Sequence, residues 1–185
     1  MERYRVLEGL PPYGPMATPI PPEWGRLGRQ GLVVEFAASQ DDRWTANFQP
    51  GLAGLNEVLT HPNQRDVLVF SAGDAWSVDP VSRETSLVAV AIDACWTVAD
   101  GLVLSRQSLA FLRLGASGVV WHTRRLSWDG FDDVTLDGRQ LTALAWSPLT
   151  ESWSPCSVDL HTGASHGGTY SHDDVEGWQR LATAG

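Results

Sequence analysis

GVVWHTRRLSWDG, residues Gly118–Gly130, carries the signal that decides the fold. A short apolar strand with a tryptophan, Val119-Val120-Trp121, runs into polar turn chemistry and ends on Asp129-Gly130. Two further stretches repeat the unit. AWSVDP at Ala75–Pro80 and WSPCSVDLHTG at Trp153–Gly163 each carry a tryptophan and close a strand on Val-Asp. A recurring strand-and-turn unit of this kind specifies an all-β architecture of small stacked sheets. It specifies no reaction.

Outward from that stretch the pattern stays regular. Expected strands are Gly31–Ala38, Arg43–Gln49, Val67–Ser71, Ala75–Asp79, Ala94–Ala99, Leu102–Arg106, Ser108–Leu114, Val119–Thr123, Asp133–Leu136, Gln140–Trp146 and Ser152–Leu160. Asp-Gly pairs at Asp100, Asp129 and Asp137 are hairpin signals, because both central positions tolerate positive φ. Short strands with closely spaced turns describe antiparallel meanders, not a parallel sheet. Leu102-Val103-Leu104 is apolar throughout, which implies a strand covered on both faces. Meanders stacked face to face give a small or partial propeller-like arrangement, with a β-sandwich as the alternative. Residues 94–123 read as one such unit and 131–163 as a shorter, three-stranded one.

Residues 1–30 read as a Pro-rich N-terminal arm ahead of a single all-β domain over 31–185. Six of the twelve residues 11–22 are proline, which excludes helix and central strand. Leu55–Thr60 offers at most one helical turn before the His61-Pro62-Asn63 break. A short C-terminal helix is expected over Asp173–Ala182, with Val175, Trp178 and Ala182 on one face.

The 185 residues fit one domain, and 43% hydrophobic residues suffice for a core. Nine tryptophans must serve as core anchors or as a contact surface. All thirteen basic residues are arginine, as expected of a GC-rich bacterial genome. Without lysine, P-loop, Schiff-base and Ser-Lys chemistries drop out. The net charge of -9 argues against nucleic acid and suits a protein partner, a basic one in particular. The opening MERYRVLEGLPPYG lacks the basic start and apolar run of a signal peptide. No apolar run reaches the roughly 20 residues of a membrane span. The expectation is therefore a cytoplasmic protein without a membrane partner. Cys95 and Cys156 are too few for a disulfide scaffold and are expected as free, buried thiols.

The order GLVVEFAA, WTANFQPG, DVLVFSAGDAWSVDP, GVVWHTRRLSWDGF, LTALAWSP, WSPCSVDLHTG and GGTY resembles a family of uncharacterised bacterial all-β, propeller-like proteins. The shared motifs are Trp-x-Val-Asp-Pro, Ser-Trp-Asp-Gly and Val-Asp-Leu-x-Thr-Gly followed by Gly-Gly, over roughly residues 31–170. The resemblance implies a fold and transfers no catalytic residue.

The densest group of functional side chains is Trp121, His122, Arg124, Arg125, Trp128 and Asp129. On an extended strand His122 and Arg124 share one face, and Trp121 and Arg125 the other. A histidine beside a carboxylate is a general base, and arginine holds an anion. The structural alternative makes Trp121 and Trp128 core and Asp129 a turn residue. His161, His166, His172, Asp173 and Asp174 meet no ordinary metal spacing, so no metal or cofactor is expected. Asp41-Asp42 and Asp132-Asp133 read as solvated turn acids. The residues favour a non-enzymatic interaction protein, immunity-type or regulatory. An enzyme acting on a small anion around Trp121–Asp129 and a carbohydrate-binding module using exposed Trp faces are the alternatives.

Overall fold

The computed structural model describes residues 3–171. The expected C-terminal helix, together with His172, Asp173 and Asp174, lies outside them. Strand accounts for 52% of residues and helix for 4%, so the fold is all-β. Sheet I holds β1 (Tyr4–Leu7), β2 (Thr18–Ile20), β3 (Leu32–Ala37) and β4 (Arg43–Phe48) in the order β1-β3-β4-β2. Sheet II is the meander β5 (Glu57–Thr60), β6 (Val67–Ser71), β7 (Asp74–Val78) and β8 (Thr85–Ala89). Sheet III follows with β9 (Ile92–Val98), β10 (Gly101–Arg106), β11 (Ala110–Gly115) and β12 (Gly118–His122). Sheet IV closes with β13 (Phe131–Asp137), β14 (Gln140–Ser147), β15 (Ser152–Asp159) and β16 (Ser165–Gly167).

The continuously apolar strands have a direct cause in this stacking. Successive strand residues point to opposite faces, so Val67 and Val69 pack on sheet I while Leu68 and Phe70 pack on sheet III. In the same way Leu102 and Leu104 meet sheet II, and Val103 meets sheet IV. Three clusters of buried residues join I to II, II to III and III to IV. Among the described residues no core cluster joins IV back to I. The sheets therefore form an open, partial propeller-like stack.

The repeated Val-Asp is one turn built twice. Asp79 Oδ1 accepts from the amides of Val81 (2.8 Å) and Ser82 (3.3 Å). Asp159 Oδ1 accepts from those of His161 (2.9 Å) and Thr162 (2.9 Å). The following carbonyl then receives an indole from the preceding sheet. Trp44 Nε1 donates to Pro80 O at 2.9 Å, and Trp121 Nε1 to Leu160 O at 3.1 Å. Both turns need a positive φ at the same position, Arg83 (65°) and Gly163 (74°). At Gly163 glycine is also required by space, since a Cβ would lie 2.7 Å from the Trp121 ring.

Several expectations are corrected. Over its described residues 3–30 the Pro-rich segment is paired into sheet I, with β1 antiparallel to β3 and β2 parallel to β4. Pro19 is tolerated there because β2 is an edge strand. Pro22–Leu27 is a short 3-10 helix. Leu55–Thr60 holds strand β5 instead of a helical turn, since pairing with β6 outweighs local propensity. The unit at 131–163 gains a fourth strand, β16. Two Asp-Gly pairs lie at two-residue hairpin turns, but neither fills both central positions: the loops are Ala99-Asp100, between Val98 and Gly101, and Gly138-Arg139, between Asp137 and Gln140. Asp129-Gly130 lies at no hairpin turn, because the chain is crossing there from sheet III to sheet IV. Both cysteines are free, Cys156 buried and Cys95 half-buried, and burial pushes the Cys95 thiol up to about 12.

Trp121 fills the III–IV core and ties it to a turn through its indole N–H. Trp121→Ala is expected to cost about 3–5 kcal/mol, as a buried aromatic truncation does. Urea unfolding checks this; a loss below about 1 kcal/mol would show that the indole is replaceable.

Candidate functional site

Of the six residues singled out in the sequence, only Trp121 and His122 stand on a strand, since β12 ends at His122. Thr123–Gly130 is a strap crossing to sheet IV. It is fastened by backbone: the Thr123 amide donates to Phe111 O (2.8 Å) and the Leu126 amide to Leu109 O (2.8 Å). Leu126 is fully buried, and its carbonyl accepts from the amides of Thr169 (2.8 Å) and Tyr170 (3.2 Å). Ser127 Oγ lies 2.5 Å from Gly130 O and 3.2 Å from Trp146 O.

Both arginines are turned onto this frame. Arg124 Nη1 donates to Arg125 O (3.1 Å) and Tyr170 O (3.1 Å), and its Nη2 to Gly167 O (2.8 Å). Arg125 Nε donates to Ser127 O (2.8 Å) and its Nη2 to Trp128 O (2.7 Å). The Arg125 guanidinium also lies 5.2 Å from the Trp128 ring and 4.5 Å from Tyr170. A planar, multiply donating guanidinium suits this splicing of a loop to a sheet end. An incoming anion would have to displace those carbonyls.

His122 points away from this frame. It lines a groove of about 390 Å³ between the outer strands β8 and β12, with Leu87, Val90, Arg106, Leu112 and Val119. Leu87 is 49% exposed, Val119 48% and neighbouring Val120 53%. The groove is not legible in the sequence without strand β8, which lies outside the expected strands. Its signal was the unbroken apolar run Leu87–Ile92 after a turn.

A polar network in the β5–β6 connection lies outside the expected site as well. Asp66 accepts from Arg65 Nε (2.9 Å), Asn63 Nδ2 (2.9 Å) and Ser77 Oγ (3.1 Å). Burial raises the Asp66 pKa, but these bonds outweigh it and hold the carboxyl below its ordinary value. Burial lowers the pKa of the adjacent His61. The turn amides and Arg139 bring Asp159 down to about 2, and the Val81 and Ser82 amides lower Asp79. His161 sits in the Asp159 turn and His166 on β16. Among the described residues no three metal-ligating side chains converge. Asp42 pairs with Arg83 at 3.0 Å, and Asp133 lies in the β13 bulge. Among the described residues no helix is long and apolar enough to cross a membrane.

The chain matches no protein-family model, and no curated protein is similar to it in sequence.

These pKa shifts fix the pH dependence of stability. A histidine held neutral in the fold contributes stability that is lost as pH falls below its unfolded pKa of about 6.5. Carboxyls with depressed pKa contribute above their unfolded value of about 4 and lose that contribution below it. The melting temperature is therefore expected to fall in two stages on acidification, and Asp66→Asn should flatten the lower one. A melting temperature constant from pH 7 to pH 3 would contradict these assignments.

For the strap, Arg125→Ala is expected to cost about 1–3 kcal/mol through orphaned carbonyls and the lost ring contact. His122→Ala should stay within about 0.5 kcal/mol. Thermal melts of the two variants check the contrast.

Proposed function

We propose that this chain is a non-enzymatic interaction protein that seats a segment of a protein partner in the groove between β8 and β12. The supporting observation is the apolar exposure of two edge strands facing one groove, with the groove-lining Leu87 and Val119 about half exposed. An edge strand offers unpaired backbone N–H and C=O groups to an added strand, and neighbouring apolar side chains supply contact area. His122 and Arg106 stand at the groove with donors for polar groups of that segment. An immunity-type or regulatory role, one stable protein occluding another, is the concrete form. The all-arginine composition fits a bacterial source, and a cytoplasmic setting belongs to the same proposal.

The test is site-specific photo-crosslinking in cells of the source organism. A crosslinking residue at Val119 is expected to trap one protein species. That adduct should disappear in Leu87→Asp and be absent when the crosslinker replaces Gln40. No adduct from Val119, or the same adducts from Gln40, would overturn the reading.

A further inference from the structure

Sheet IV buries one face on sheet III, and its other face presents a graded ladder. Cross-strand register places Trp146 opposite Trp153, Leu144 opposite Pro155, Thr142 opposite Ser157 and Gln140 opposite Asp159. Strand β13 extends these rows with Asp132 beside Leu144, Thr135 beside Thr142 and Asp137 beside Gln140. His166 of β16 extends the Thr142–Ser157 row. One end of the face is thus aromatic and apolar, and the other is hydroxylic and acidic. Trp153 is 43% exposed and leans on Trp146, with ring centroids 5.0 Å apart. Further along the ladder runs a groove of about 420 Å³ lined by Asp133, Thr142, Leu144, Pro155, Ser157 and His166.

The face is not prepared for a fifth sheet. At the β-strand position where Leu68 of sheet II and Val103 of sheet III meet the following sheet, sheet IV has exposed Thr142. An apolar patch rimmed by polar groups is the mark of an interaction surface. Its charge selects the partner. Residues 131–167 hold five carboxylates and one arginine, a net of -4, and Arg139 is already bound to Asp159 at 2.8 Å. A second copy docking face to face would set these carboxylates against one another.

We infer that the outward face of sheet IV is a docking surface for an arginine- or lysine-rich segment of a protein partner, with one cation over Trp153 at the aromatic end and further cations against Asp132 and Asp137 along the ladder. The chain uses the same chemistry internally, where Arg125 covers Trp128 and Tyr170, and Arg83 lies over Trp44 at 5.7 Å. This surface is separate from the β8–β12 groove and does not depend on it.

The experiment follows indole N–H signals of the full chain by NMR during three titrations. The probes are a synthetic peptide alternating arginine and leucine, its glutamate counterpart, and a linear glucose oligosaccharide. The signal lost in Trp153→Ala is expected to shift with the arginine peptide alone. Affinity should fall about tenfold in Trp153→Ala, in line with a desolvated cation–ring contact. In Asp132→Asn with Asp137→Asn it should fall about threefold, and this pair carries the test if the tryptophan variant misfolds. Leu87→Asp should leave binding unchanged, which separates this result from the fate of the groove proposal. No shift with the arginine peptide overturns the inference, and so does an equal shift with the glutamate peptide. A response to the sugar instead reassigns the face to carbohydrate. A dimer in sedimentation that dissociates in Trp153→Ala reassigns it to a second copy.

Discussion

A four-stranded sheet of three- to eight-residue strands has too little side-chain area on one face to stand alone. The burial of apolar side chains between successive sheets is therefore the constraint on which everything else in this molecule depends. It explains why Val67–Phe70 and Leu102–Leu104 are apolar without alternation: each of those strands has a neighbour on both sides. It also makes the ends of the stack special, as in repeat proteins whose terminal units need caps. At the first sheet the N-terminal chain does this work. Asn47 accepts from the Gly31 amide (2.8 Å) and donates to Arg29 O (2.9 Å), holding the Pro-rich segment and the 3-10 helix beside the outer face. At the last sheet the side chains themselves change, to threonine, serine and aspartate around a tryptophan pair.

Much of this was legible because the central strands carry their burial in their letters. Strands β6, β7, β10, β11, β14 and β15 are apolar at the positions their neighbours demand, and the strand–turn spacing marks them. The strands that escaped are outer or inner edges. Glu57–Thr60, Thr85–Ala89 and Ser165–Gly167 are half exposed or more, so their composition is set by solvent and by pairing to one partner. Edge pairing is a tertiary fact that local sequence does not encode. The same limit hid the groove, since a surface made by two edge strands is invisible until both are placed.

The candidate site illustrates a second limit. His122, Arg124, Arg125 and Asp129 are close in sequence, and proximity suggested a constellation. The strand ends at His122, however, and the strap that follows turns its two guanidinium groups onto backbone carbonyls. A loop that leaves one sheet for another exposes acceptors that no ladder satisfies, and an orphaned buried carbonyl is costly. Arginine, with five donors in a fixed fork, can serve several such acceptors at once, where an ammonium could not match the geometry. In a chain without lysine, arginines at inter-sheet crossings are therefore structural candidates first. Arg113, whose Nη1 donates to Leu160 O at 3.1 Å across the III–IV interface, follows the same rule.

The two Asp turns show how one solution is adapted to different neighbours. Asp79 and Asp159 build the same loop, and each loop offers its next carbonyl to a tryptophan from the sheet before. The difference lies in the residue at positive φ. On sheet II it is Arg83, whose guanidinium covers Trp44 and reaches Asp42 at 3.0 Å, so the side chain compensates the strained backbone. On sheet IV the Trp121 ring lies so close that no side chain fits, and glycine stands there. The close ring approach sits at the III–IV interface, where the strap also carries the chain from one sheet to the next. Trp44 and Trp121 thus explain two of the nine tryptophans as fasteners between sheets, whereas Trp153 leans on Trp146 and stays partly exposed on the last sheet. Among the described residues, that contrast separates tryptophans that fasten one sheet to the next from an exposed one on the last sheet.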